Sequence, residues 1–313
     1  MKVIPFKSEH IQQAVRLAEL NFKEENNRLQ NILPKANLPD LSQFADNNLG
    51  VAAFDGDTML GFICCYGPCH NLFGKSDGIY SPVHANAAVH ANRQKIYSAM
   101  YQFASNIWVE NKLLSHSITL YANDSDAINS FFDNGFGKRC VDAAMDMNKY
   151  SYVLKNVEHL RELHKSKFSK VHKLSNLTNE HLQRPPAFMP RKPVCLDKFM
   201  ENLADDTRIF VTKKDNEIIG FIKAQSDGET FISQNKHMMN ITGAYVLDKY
   251  RGMNIASDLI NYTVDALKKD GDTHLGVDYE SINPTANSFW QKHFTPYTYS
   301  LTRRIDERII EYR

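Results

Sequence analysis

The run DKYRGMNIASDLINYTVDALKK, residues 248–269, opens on a turn and continues as an amphipathic helix. Just before it, MNITGAYVL (239–247) is apolar enough for a central strand. Ile255, Leu259, Val264 and Leu267 then recur at roughly helical spacing. A strand, a tight turn and a helix in that order leave backbone N–H groups at the helix start without intrahelical partners, and the helix dipole adds positive potential there. Such an end suits an anion, phosphate above all. Gly252 allows a close backbone approach. The place where a second glycine would help most holds Asn254, and asparagine enters left-handed backbone space more readily than other non-glycine residues. The plain alternative is a strand-to-helix turn that holds nothing.

Working outward, the chain repeats itself. VAAFDGDTMLGFICC (51–65) and FVTKKDNEIIGFIKA (210–224) are both two apolar runs joined by an Asp-containing turn, the signature of a hairpin. Each carries Gly-Phe-Ile, at Gly61 and at Gly220, 159 residues later. The same offset lays NRQKIYSAMYQF (92–103) on RGMNIASDLINY (251–262), matching Ile96 to Ile255 and Ser98 to Ser257. It also brings DAINSFF (126–132) onto TANSFWQ (285–291), with Ala127 on Ala286. Three elements kept in phase point to two copies of one fold.

Copy one opens on the strand candidate MKVIPF, followed by a helix capped by Ser8 with Ile11, Val15, Ala18 and Phe22 on one face. Copy two opens near KVHKLSNLTNEHLQ (170–183), with an analogous strand and a helix expected there. The segment between them, with VEHLRELHKSKFSK (157–170), reads as a polar connecting helix. RPPAFMPRKP (184–193) reads as a loop near the site, or as a plain surface loop.

The 313 residues suit two domains, and 42% hydrophobic with 23% charged residues is ordinary for a globular protein with sizeable cores. A formal net charge of +1 implies no bulk attraction to nucleic acid or an anionic membrane. The N-terminal residues lack the apolar block of a signal peptide, and five cysteines, an odd number, fit free thiols in a reducing compartment. The expectation is a cytoplasmic monomer or homodimer with no nucleic-acid or membrane partner.

RGMNIA resembles the acyl-CoA loop of the GNAT acetyltransferase superfamily, whose pattern is Arg or Gln, two residues, Gly, one residue, Gly or Ala. Arg251 and Ala256 match its ends, and Asn254 stands in for its middle glycine. NPTANSFW (283–290) resembles the family's Asn-x-x-Ala-x-x-Phe-Tyr helix, and DSDAINSFFDNGF (124–136) resembles it again in copy one, ending in the family's Gly-Phe.

The resemblance implies an α+β chain of two tandem GNAT-like domains, each a mixed, mostly antiparallel sheet flanked by helices. Residues 1–150 form a degenerate copy, 151–170 a connecting segment, and 171–313 the copy that binds acetyl-CoA as co-substrate. It further implies N-acetyl transfer to a primary amine of a small molecule or peptide. Val246, Leu247, Arg251, Gly252, Met253, Asn254, Ile255, Ala256, Ser257, Asn283 and Trp290 would contact the cofactor. The competing reading is a non-catalytic acyl-CoA-binding or interaction module. In copy one Arg93 and Tyr97 fall where Gly252 and Ala256 stand, so that copy is expected to have lost the cofactor loop.

HLGVDYESINP (274–284) puts Gly276, Asp278 and Glu280 on one strand face and Leu275, Val277 and Tyr279 on the other. Asp278 and Glu280 are candidates to orient or deprotonate the amine, or else are a solvated pair. The family's tyrosine acid is replaced by Trp290, which packs either against the pantetheine arm or in the core. Tyr297, in FTPYTYS (294–300), is the candidate substitute acid. CCYGPCH (64–70) offers only Cys65, Cys69 and His70 to a metal, with no second pair, and no metal site is expected.

Overall fold

A computed structural model describes residues 1–312. In chain order its strands are β1 (Lys2–Pro5), β2 (Val51–Asp55), β3 (Thr58–Ile63), β4 (Tyr66–Cys69), β5 (Gly78–Ser81), β6 (Asn86–Ala88), β7 (Ser115–Tyr121), β8 (Gly137–Asp146), β9 (Leu160–Glu162), β10 (Arg208–Lys214), β11 (Glu217–Gln225), β12 (Met238–Val246), β13 (His274–Glu280) and β14 (Thr295–Arg304). The α-helices are α1 (Ile11–Arg28), α2 (Arg93–Glu110), α3 (Ser125–Asp133), α4 (His172–Gln183), α5 (Leu196–Glu201), α6 (Ile255–Lys269) and α7 (Pro284–Trp290). No helix among the described residues is long and apolar enough to cross a membrane.

The repeat persists in backbone detail. β7 and β13 lie 159 residues apart at both ends. In the first hairpin Ala53 pairs with Gly61 and the register then shifts; in the second Thr212 pairs with Gly220 and the register shifts at the same step. A bulge at one repeat position in both copies is a built feature of the fold.

Two compact units emerge: residues 1–31, 36–142 and 296–313 form the first, and 32–35 with 143–295 form the second. This departs from a boundary at 151–170. The last strand, β14, counts with the first unit, where it pairs antiparallel with β7 from Thr298↔Tyr121 to Arg304↔Ser115. Residues of β8 from Ala143 onward count with the second. The segment read as a connecting helix holds instead β9, paired antiparallel with β10, and a 3-10 turn, Lys165–Val171. β9 has only Leu160 buried, as suits a short strand on a sheet edge, and its polar residues hide it from a periodicity argument.

In the first unit, β1-β2-β3-β6 form an antiparallel sheet. β5 and β7 run parallel, from Gly78↔Ser115 to Ser81↔Ile118. α1 buries Ala14, Leu17, Ala18, Asn21 and Glu25, so that of the expected face Ala18 is buried and Ile11, Val15 and Phe22 are half-buried. Ser8 does not cap it; Lys7 N–H donates to His10 Nδ1 at 3.0 Å. The buried stripe is turned by polar residues: Asn21 exchanges two 3.1 Å bonds with the Ala88 backbone, and Glu25 accepts from Asn123.

In the second unit β9-β10-β11-β12 are antiparallel and β12-β13 parallel. One face carries Ile209, Val211, Phe221, Tyr245 and Leu247 with Leu174 of α4 and Phe199 of α5. The other carries α6, whose Tyr262 meets Phe210 edge-on at 6.2 Å.

Candidate functional site

β12 and β13 pair from Met238↔His274 to Ile241↔Val277 and no further, although β12 runs on to Val246 and β13 to Glu280. The strands therefore separate, and β12 changes from buried to half-buried at Thr242. Thr242 is the extra residue of a bulge: opposite β11, Ala224 faces Ile241 and the adjacent Lys223 faces Gly243. Beyond it the register fixes which amides face the gap. Leu247 N–H bonds Ile219 C=O at 2.9 Å, so residues 245 and 243 also point at β11. The N–H groups of Ala244 and Val246 point the opposite way, toward the space β13 has left.

The turn after β12 is built for close approach. Gly252 has φ +78° and Asn254 has φ +60°, so asparagine takes the left-handed role at the start of α6 without capping it. Gly252, Met253 and Asn254 are exposed, while Ile255, Ala256 and Ser257 are half-buried in the first turn of the helix. Arg251 folds back: its Nε donates to Val246 C=O at 3.2 Å, and its guanidinium lies 3.0 Å from Asp248 and over the Tyr245 ring.

Ser257 opens a hydrogen-bond chain with a determinate direction. Tyr150 Oη donates to Asn261 Oδ1 at 3.0 Å, an oxygen whose amide nitrogen is held by Val153 C=O. Tyr150 Oη therefore accepts from His293 Nδ1–H at 2.9 Å, and His293 Nε2 accepts from Ser257 Oγ at 3.1 Å. A neutral imidazole fits, and burial first, then Lys292, pulls the His293 pKa below its ordinary value. Neither Tyr150 nor His293 stands out in the sequence, because the chain joins three distant segments.

Asp278 occupies the first position of β13 beyond the pairing with β12. It is exposed to solvent, yet nearby protein desolvates its carboxyl. That desolvation, with the Glu280 charge adding to it and Arg191 opposing, raises the Asp278 pKa. Glu280, two residues on, is half-buried. Asn283 is the N-cap of α7, accepting from Ala286 N–H at 3.4 Å. Trp290 is 7% exposed and packs edge-on against Phe294 at 5.6 Å, so core packing is the role its surroundings fit. Tyr297 is 1% exposed on β14 and counts with the first unit.

The equivalent positions of the first unit are filled. Arg93, in the place of Gly252, is 2% exposed and holds Asp124 and Glu24, each at 2.8 Å. Tyr97, in the place of Ala256, is buried and donates to Asn86 Oδ1 at 3.1 Å. Asn86 Nδ2 reaches Thr119 C=O of β7 at 3.0 Å, spanning the gap that the second unit leaves open. Thr119 and Tyr121 stand where the second copy has Asp278 and Glu280.

Residues 172–294 match the family model described as the acetyltransferase (GNAT) family. No curated protein matches the chain in sequence. Among solved structures it is similar to a GCN5-related N-acetyltransferase from Sphaerobacter thermophilus, at 11% identity and TM-score 0.58, over 96% of this chain and 95% of that one. It is also similar to the glucosamine N-acetyltransferase region of a fungal multi-domain β-N-acetylglucosaminidase, at 12% identity and TM-score 0.53, over 96% of this chain and 38% of that one. At these identities the likeness shows the fold alone.

Proposed function

We propose that the second unit transfers an acetyl group from acetyl-CoA to a primary amine. The observation that carries the reading is the separation of β12 from β13 after Ile241↔Val277, with the Ala244 and Val246 N–H groups turned into the gap and the Gly252–Ser257 turn at its end. The pyrophosphate of the cofactor sits on the free amides of that turn and the start of α6, and Ser257 Oγ is held nearby by His293. The pantetheine runs along β12, and an outward N–H polarises the thioester carbonyl and stabilises the oxyanion.

The neutral amine nitrogen then forms the new N–C bond, the C–S bond breaks with its electron pair going to sulfur, and the ammonium proton passes to Asp278 or Glu280. Desolvation makes Asp278 a stronger base than a free aspartate. The sulfur leaves as thiolate; with a thiol pKa of about 8.5 it needs no dedicated acid, which accommodates tryptophan at position 290. Much of the acceleration comes from holding the two reactants together.

Trp290 also favours a second reading, a non-catalytic acyl-CoA binder, since its indole N–H donates a hydrogen bond but no useful proton at neutral pH. Incubation with acetyl-CoA and a panel of amines, followed by release of free thiol, separates the two. Amine-dependent release supports transfer. Tight cofactor binding with no release above background across the panel supports the binder.

A further inference from the structure

Beside the end of β12 lies a cavity of about 270 Å³, on the face that carries α4. It is lined by Leu177, Glu180, His181 and Arg184 from α4 and its C-cap, and by Tyr245, Leu247, Asp248 and Lys249 from the strand end and turn. The volume is close to the small end of ligand pockets, a fit for a single small metabolite.

The charges are unequal in availability. Asp248 is engaged, accepting from Tyr245 Oη at 2.8 Å and facing Arg251 at 3.0 Å. The Tyr245 hydroxyl first, then Arg251, His181 and Arg184, hold its carboxyl below the ordinary value. Glu180 is then the one acid of the lining not so engaged, against Arg184 and Lys249. Arg184 makes no ion pair among the described residues. It also starts the loop 184–193, which holds Arg184, Arg191 and Lys192 and no acid. The far end of that loop brings the Arg191 charge to Asp278. One loop thus joins the cavity wall to the candidate base, and it is cationic throughout. With Asp248 engaged, Arg184 and Lys249 outnumber Glu180 in the lining, a balance that favours an anionic group over a polyamine or other multiply charged cation.

Building on the acetyl-transfer reading, we propose that the acceptor is a small amine bearing its own carboxylate, an amino-acid-like zwitterion. Its carboxylate lies against Arg184 and Lys249, and its amine is directed toward Asp278 and Glu280. Leu177 and Leu247 give the body of the molecule an apolar wall.

The test compares amino acids with the amines left by their decarboxylation and with their amides, each with acetyl-CoA, in the wild type and in Arg184→Ala and Lys249→Ala. Coenzyme A affinity of every variant is measured separately by calorimetry. Carboxylated acceptors should be preferred in kcat/KM by about tenfold or more, the scale of a hydrogen bond to a charged group. Arg184→Ala should erase that preference through KM, leaving coenzyme A affinity and the decarboxylated amines unaffected. Equal turnover of amines and amides, or an equal loss for all acceptors in Arg184→Ala, overturns the proposal and leaves acetyl transfer standing. If coenzyme A binds and nothing is turned over, saturation-transfer NMR on the loaded protein decides: carboxylate-dependent binding lost in Arg184→Ala supports the assignment, and its absence overturns it. Failure to bind coenzyme A at all removes the underlying reading, and this one with it.

Discussion

The turn before α2 and the turn before α6 are the same place in two copies of one fold, and they have opposite fates. Before α6, two left-handed residues and a small Ala256 keep the backbone open. Before α2, the Arg93 guanidinium occupies the region with two carboxylates of its own protein, and Tyr97 and Asn86 stitch across to β7. A fold that needs two strands to part must leave backbone groups unpaired in the gap. Side chains satisfy them in the first copy, and on the acetyl-transfer reading a ligand does so in the second. The copies share the hairpin bulge and the ends of β7 and β13, but where the second has the continuous β12 the first has the separate short strands β5 and β6.

The comparison breaks most visibly if the filled copy is emptied. Arg93→Ala leaves Asp124 buried and unpaired, and loss of one partner of a buried pair costs about 3–5 kcal/mol. Chemical denaturation should register that loss while coenzyme A stoichiometry stays at one. A variant that keeps wild-type stability would mean Arg93 is not the plug described.

The open copy is tested at its acid. Asp278→Asn should lower turnover by about a hundredfold, in the range of general base catalysis, with little change in coenzyme A affinity. The wild-type rate should rise with pH through the raised Asp278 pKa, and that limb should vanish in the variant. The stability sign is opposite. A carboxyl whose folded pKa exceeds its unfolded value is better protonated in the folded state, so its penalty appears as pH rises above the unfolded value and is complete above the folded one. Asp278→Asn should therefore be neutral or stabilising at neutral pH. Full activity in the double variant with Glu280→Gln would remove both acids from the mechanism.

The turn itself gives a smaller effect. A Cβ at Gly252 meets nothing within 4 Å, so substitution there strains only the backbone, by about 1–2 kcal/mol at positive φ. Gly252→Val should weaken coenzyme A binding by about tenfold, whereas Asn254→Gly should preserve it. The smallest effect belongs to Tyr297→Phe. Buried in the first unit, it should leave acetyl-CoA kinetics unchanged in steady-state assays, and a lowered turnover would return that phenol to the chemistry.

What was legible in the sequence was local. The hairpins, the strand–turn–helix of residues 239–269 and the acid-bearing strand each announce themselves by periodicity and turn residues within one segment. The left-handed asparagine was legible too, since conformation and residue type agree. What was not legible depends on partners far apart in the chain. The alternation of β14 suits any sheet edge, so nothing in it specifies the unit it joins. β9 is three residues of mostly polar sequence that become a strand only because β10 offers an edge. The polar stripe of α1 needs Ala88 and Asn123 to make sense of Asn21 and Glu25. The plug of the first copy and the cationic loop of the second are likewise contacts without a local signature.

The central claim is that one copy binds the cofactor and the other has filled its site. Titration calorimetry of coenzyme A against the full chain tests it most directly, on the wild type, Gly252→Val and Arg93→Lys. One site per chain is expected, weakened about tenfold by Gly252→Val through the strain of its turn and unchanged by Arg93→Lys. Two equivalent sites, or a single site that survives Gly252→Val and responds to Arg93→Lys, would contradict the account.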